Sequence, residues 1–128
     1  MADDEKMAVG SVGWIDLTVP NADQVRDFYA KVVGWSVQPV DMGEYNDYCM
    51  VPPDDDDAVT GICFKRGDNA NQPASWMIYI VVANLDESLA AVKALGGEMI
   101  GSIRDAGPAR FCVIKDPAGA TCALWQQG

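Results

Sequence analysis

From residue 14 to residue 19, Ile15, Leu17 and Val19 alternate with Trp14, Asp16 and Thr18, and from 77 to 82, Ile78, Ile80 and Val82 alternate with Met77, Tyr79 and Val81. A period of two marks a strand with two unlike faces. The aliphatic sets are expected to pack against helices and the mixed sets to face the other way. A helical period follows each strand: Val25, Phe28, Tyr29 and Val32 lie at i, i+3, i+4 and i+7, and Leu85, Leu89 and Val92 at i, i+4 and i+7. Each helix therefore carries one apolar stripe. Asn21 precedes Gln24 by three and Asn84 precedes Glu87 by three, a spacing that lets Asn accept from a first-turn amide while Gln or Glu reaches back. Gly34 and Gly97 are expected to end the helices at positive φ.

The second pattern repeats the first. Sliding the chain by 63 residues lays 12–51 on 75–114 and brings together Ile15 and Ile78, Val19 and Val82, Asn21 and Asn84, Asp23 and Asp86, Gly34 and Gly97, Cys49 and Cys112. These matches fall at structural punctuation, which is where a duplicated unit keeps its likeness. Three more strands are expected after each helix, near 35–41, 44–51 and 58–65, then 98–103, 109–115 and 120–126, separated by "DMGE", "PPDDDD", "RDAGPA" and "DPAG". The fold class is α+β: tandem βαβββ modules forming curved mixed sheets with helices on the outer face. At 128 residues this is one domain, spanning 9–127, with modules at about 12–65 and 75–126 and a polar linker at 66–74.

Composition narrows the function. Nine Lys and Arg against nineteen Asp and Glu leave a net charge of −10, the wrong sign for gripping phosphate backbones, so no nucleic acid partner is expected. No apolar run approaches the roughly 20 residues of a bilayer span, and the acidic start "MADDEKMAVG" is no secretory leader; a soluble cytoplasmic protein without membrane contact is expected. Cys49, Cys63, Cys112 and Cys122 form no CxxC pair and the chain has no His, so zinc-finger and Cys/His catalytic readings lack their ligands or their base. The acidic run 54–57 lacks the spaced ligands of a calcium loop and reads as a solvated turn.

The duplicated βαβββ pattern, with "LTVPNADQVRDFYAKVVGW" in the first copy and "DPAGATCALWQ" at the end, resembles the vicinal oxygen chelate superfamily, which contains glyoxalase I, bleomycin-resistance proteins and extradiol dioxygenases. The resemblance covers residues 12–126. It implies metal ligands on the first and last strand of each copy, which here fall on Trp14, Gly61, Met77 and Ala123. An indole is a donor only, a thioether a weak acceptor, and Gly and Ala offer no donor atom, so no divalent metal and no other cofactor are expected. The cavity implied by the resemblance is expected to hold an organic ligand instead, lined by Trp14, Asp16, Gly61, Cys63, Met77, Tyr79, Ala123 and Trp125, a mostly apolar set with few polar anchors.

Asp16 either opens to solvent, pairing with Arg110 or Lys65, or contacts substrate; in the second case it is the one candidate general base. Cys63 lacks an activating partner. Arg104 and Arg110 are the positive side chains near the expected mouth. Three functions remain open: a metal-free binder of a small hydrophobic or aromatic molecule in the manner of bleomycin-resistance proteins; a glyoxalase-like lyase or isomerase, or a dioxygenase-related enzyme; and a partner domain with a vestigial cavity. The resemblance also implies a homodimer.

Overall fold

The computed structural model describes residues 6–128; the acidic stretch 2–5 lies outside them. The chain forms two compact units, one of residues 14–76 and one of residues 77–128 together with the segment preceding residue 14. Both are βαβββ modules, as the sequence pattern implies, and the fold is α+β.

The first module contains β1 (Val12–Val19), α1 (Ala22–Val33), β2 (Ser36–Asp41), β3 (Asn46–Val51) and β4 (Thr60–Phe64). Its strands are ordered β2-β3-β4-β1, with β1 parallel to β4 and the other pairs antiparallel. Leu17, Val19, Tyr48, Met50 and Ile62 meet Ala22, Val25 and Tyr29 of α1 in one core. Met50 and Ile62 are fully buried, worth about 2 kcal/mol of transfer free energy apiece. The helix stripe is narrower than its sequence pattern. Val25 and Tyr29 pack inward, whereas Phe28 and Val32 are 58% and 64% exposed. The expected cap also differs: Asn21 makes no side-chain cap to a backbone amide, because its Nδ2 donates to Gln24 Oε1 at 2.9 Å. Gly34 ends α1 in the left-handed region, at φ 89°.

The second module contains β5 (Trp76–Val81), α2 (Leu85–Ala94), β6 (Glu98–Ala106), β7 (Ala109–Lys115) and β8 (Thr121–Gln126), ordered β5-β8-β7-β6. Leu85, Leu89, Cys112, Ile114 and Leu124 form its core, with Ile80, Val82, Val92 and Met99 packed against them. Here the cap is made as expected, Asn84 Oδ1 accepting from the Glu87 amide at 3.0 Å. Ile78, expected on the helix side, is 37% exposed. The residue at positive φ after α2 is Gly96, at 93°, and not Gly97. Gly97 is required for closeness: a Cβ there would stand 2.7 Å from the Lys115 carbonyl oxygen and 2.9 Å from Val92 Cγ1.

The segment before β1 is tied to this module. Met7 N donates to Gln127 Oε1 at 2.7 Å and Gln127 Nε2 donates back to Met7 O at 3.0 Å, while Gly10 N donates to Val81 O and Val81 N to Ser11 O.

The internal likeness is real but its register is not constant. Tyr48 pairs with Ile62 and Cys49 with Gly61, whereas Cys112 pairs with Leu124 and Val113 with Ala123. Cys112 thus occupies the place of Tyr48, on the helix side, and the match of Cys49 to Cys112 is a slip of one residue. Such a slip moves a side chain to the opposite face.

Candidate functional site

Each sheet has a helix on one face, and the expected site residues lie on the other. In the first module, strand parity places Trp14, Asp16 and Thr18 opposite the helix-packed Leu17 and Val19. Gly61 is the register partner of both Asp16 and Cys49, and Cys63 is the partner of Thr18. Tyr48 and Met50, whose facing periodicity leaves undecided, belong to the helix side.

Trp14 and Asp16 form a pair. The indole Nε1 donates to Asp16 Oδ1 at 2.6 Å, and the carboxylate lies directly over Gly61, where an added Cβ would come within 2.3 Å of Oδ1 and 3.6 Å of the indole nitrogen. The missing side chain at 61 is the space this pair occupies. Arg110, an expected partner for a solvent-facing Asp16, has NH1 and NH2 each 3.3 Å from the Asp86 carboxylate. Thr18 does not present its hydroxyl as a ligand group. It donates to Gln72 Oε1 at 3.2 Å in a buried contact, so the polar stretch 66–74 contributes an anchored side chain to this face.

Behind Asp16 are two thiols and a second carboxylate. Burial pushes the Cys63 thiol far above its usual range, with Asp16, Asp47 and Cys49 pushing the same way; Cys49 is raised by burial, Asp16 and Asp47. Neither thiol is a nucleophile near neutral pH. Asp47, only 6% exposed, is absent from the sequence-based site, although it stands two residues from Cys49 and so shares its face. Its Oδ1 accepts from the Phe64 amide at 2.9 Å.

Burial is the largest influence on the Asp47 carboxyl and raises it, against the opposing pull of the Phe64 amide, the Cys63 thiol and Arg66. The folded chain therefore binds this proton more tightly than the unfolded chain. The group's contribution to stability is complete below about pH 4 and is lost as pH rises through the raised folded value. Asp47→Asn is thus expected to melt higher than the parent at pH 7, with the difference closing toward pH 4; thermal melts across that range check it.

The second module presents a different surface. Tyr79 pairs with Ala123 and Val81 with Trp125 across β5 and β8, Trp125 with Phe111 across β8 and β7, and Phe111 with Arg104 across β7 and β6. One row of side chains, Val81, Trp125, Phe111 and Arg104, therefore crosses all four strands, with Tyr79 beside it on the same face. Phe111 and Trp125 stack with centroids 5.4 Å apart and planes 25° from parallel. Tyr79 meets them at 5.8 and 6.1 Å, and the Arg104 guanidinium lies 4.7 Å above the Phe111 ring. Met77 and Ala123 are buried and contribute bulk to this face. Phe111 escapes sequence reasoning because its place depends on the β7 register. Cys112 turns to the helix side, with its thiol raised by burial.

The positions that the metal-binding pattern would use do not suit an ion. The indole N–H of Trp14 points at a carboxylate already present, Gly61 and Ala123 have no donor, and Met77 offers a buried thioether. Among the described residues, no group of three or more His, Cys, Asp or Glu side chains is arranged to hold a metal. A separate apolar groove of about 330 Å³ runs between α2 and the loop at 116–119, lined by Val82, Val92, Leu95, Ile114 and Leu124 among others. Its polar rim is committed elsewhere, Lys115 to Glu98 at 3.6 Å and Asp116 to the amides of Ala118 and Ala120. Among the described residues, no helix is long and apolar enough to cross a membrane.

The family model of the glyoxalase-like domain matches residues 14–125. The chain is 28% identical over 139 residues to the anthracycline biosynthesis protein DnrV of Streptomyces peucetius, an overlap of 96% of this chain and 49% of that protein; it spans about half the length of the curated relatives it matches. Among solved structures, methylmalonyl-CoA epimerase from Mycobacterium tuberculosis superposes with a TM-score of 0.56 at 13% identity, over 97% of this chain and 94% of that one. A glyoxalase/bleomycin resistance protein/dioxygenase superfamily member from Vibrio splendidus 12B01 gives 0.59 at 10% identity, over 89% and 97%. At these identities the structural likeness is one of fold.

Proposed function

The chain belongs to the glyoxalase-like domain family, and from that premise we propose that it is a metal-free binding protein for a small aromatic molecule. The observation that carries this reading is the cluster of Tyr79, Trp125, Phe111 and Arg104. Tyr79, buried, and Phe111 and Trp125, partly exposed, are in mutual contact on the face away from α2, an apolar, weakly hydrated aromatic patch against which the ring edges of an aromatic ligand pack. The similarity to a protein named for anthracycline biosynthesis agrees with this, since anthracyclines are built on fused planar rings. The indole–carboxylate pair at Trp14 and Asp16, seated where the family pattern would place a metal ligand, supports the metal-free part of the reading.

Titration with anthraquinone-type compounds, followed by tryptophan fluorescence and thermal melting, is expected to quench emission and raise the melting temperature, with dissociation constants in the micromolar range, about −8 kcal/mol. No response to a panel of flat aromatic and cationic compounds overturns the proposal. One observation favours a second reading, proton transfer next to a carbonyl: Asp16 is held in a fixed orientation by Trp14, as a general base needs to be. Turnover of a methylmalonyl thioester or of the methylglyoxal–glutathione adduct that disappears in Asp16→Asn would replace binding with catalysis.

A further inference from the structure

The α1 helix carries two apolar rows. Val25 and Tyr29 pack into the module core, while Phe28 and Val32, one turn apart, point outward and are more than half exposed. Aromatic rings extend this outer row within the same compact unit. Phe28 meets Tyr29 edge-on at 5.1 Å, and Tyr29 meets Trp35 at 5.8 Å and Trp76 at 5.3 Å. Trp76, the last residue of that unit, is 38% exposed. Single exposed apolar side chains are ordinary on a surface, whereas a contiguous patch of them marks a place of association.

The repeat shows that the fold itself does not require this patch. A shift of 63 residues lays Phe28 on Ala91, and α2 packs on its strands through Leu85, Leu89 and Val92 with that alanine exposed. The charges of α1 indicate what the patch fits. Asp23 lies in the first turn and Lys31 in the last, and with Arg26 and Asp27 the helix has no net charge on a chain of −10. Two copies of so acidic a chain repel one another least where the facing surface is neutral. Asp27 and Lys31 are one turn apart and both exposed, alongside Phe28 and Val32. When two α1 helices lie antiparallel about a twofold axis, Asp27 of each comes opposite Lys31 of the other, and Phe28 opposite Val32. A parallel pairing would set Asp27 against Asp27.

We infer that the outward face of α1 is a self-association surface, and that its partner is a second copy of this chain in a twofold, antiparallel helix pair. A contact of this extent lies at the small end of specific interfaces, so a dissociation constant of about 10 µM is expected. Sedimentation equilibrium of the full chain between about 1 and 100 µM should then show a monomer–dimer equilibrium. Phe28→Ala, which copies the residue that α2 already carries, is expected to weaken it about tenfold. Asp27→Lys and Lys31→Glu each place like charges opposite one another twice in such a dimer, and each is expected to weaken it by a similar factor. Combining Asp27→Lys with Lys31→Glu restores opposite charges and is expected to recover most of the parent affinity. Thermal melts at low concentration check that the variants fold, since all three side chains are exposed.

A monomer across the whole range overturns the inference. So does a dimer that Phe28→Ala leaves unchanged, which would place the contact on another face. A charge-swapped double variant that associates no better than either single variant overturns the antiparallel pairing.

Discussion

Trp125→Ala is expected to cost about 3 kcal/mol of stability and to abolish binding of flat aromatic probes. The indole stacks on Phe111 and meets Tyr79 edge-on, so its removal takes a wall from each ring and leaves a gap that the strands cannot close. Truncation of a large aromatic in a well-packed site costs about 3–5 kcal/mol, and the partial exposure of Trp125 puts the expectation at the lower end. The ladder should survive, because Val82 N donates to the Trp125 backbone oxygen at 2.8 Å, which alanine also supplies. Denaturant unfolding measures the first effect and probe titration at a temperature where the variant is still folded measures the second. A variant that binds as well as the parent would remove the aromatic row from the site.

Gly61→Ala is expected to destabilise the chain by about 2 kcal/mol, although the backbone is not in a glycine-only conformation and a Gly-to-Ala change in such a strand would ordinarily be neutral or favourable. The cause is one contact, a Cβ within 2.3 Å of Asp16 Oδ1. The carboxylate would have to leave its place over residue 61, breaking the 2.6 Å bond from Trp14. A double-mutant cycle isolates this effect: in the Asp16→Ala background the clash is absent, and the cost of Gly61→Ala should fall below about 0.5 kcal/mol. An unchanged cost in both backgrounds would place the penalty somewhere other than the carboxylate.

The parts of this molecule legible in its sequence are those set by local rules. The strand and helix order, the stripe of α2 and the cap at Asn84 follow from spacing alone, because a side chain four residues away is a neighbour whatever the rest of the chain does. Asn21 has the same spacing and does not cap, since its amide has a competing partner in Gln24 with nearly the same reach. Gly97 was expected to supply a positive φ; its neighbour Gly96 does so, and two adjacent glycines cannot be told apart before the approach of Lys115 is known. The greatest loss of legibility is at β3 and β7. The identity of Cys49 and Cys112 invites one register, strand pairing imposes another, and with it the faces exchange. Phe111 and Asp47 were hidden for that reason, and the separation of an acidic, thiol-bearing face from an aromatic one became visible only with the pairing of each module.

The reciprocal bonds between Met7 and Gln127 join residues 120 apart in sequence. A contact that remote closes late, because the chain entropy of so long a loop must be overcome before the two hydrogen bonds repay it. On the ribosome, residues 7–11 would have to wait until residue 127 has emerged before completing these contacts, while the β1-to-β4 unit already has all of its own strands. Replacing residues 7–11 with a flexible segment should therefore weaken the β5-to-β8 module, to which they are bonded, and leave the β1-to-β4 module nearly untouched.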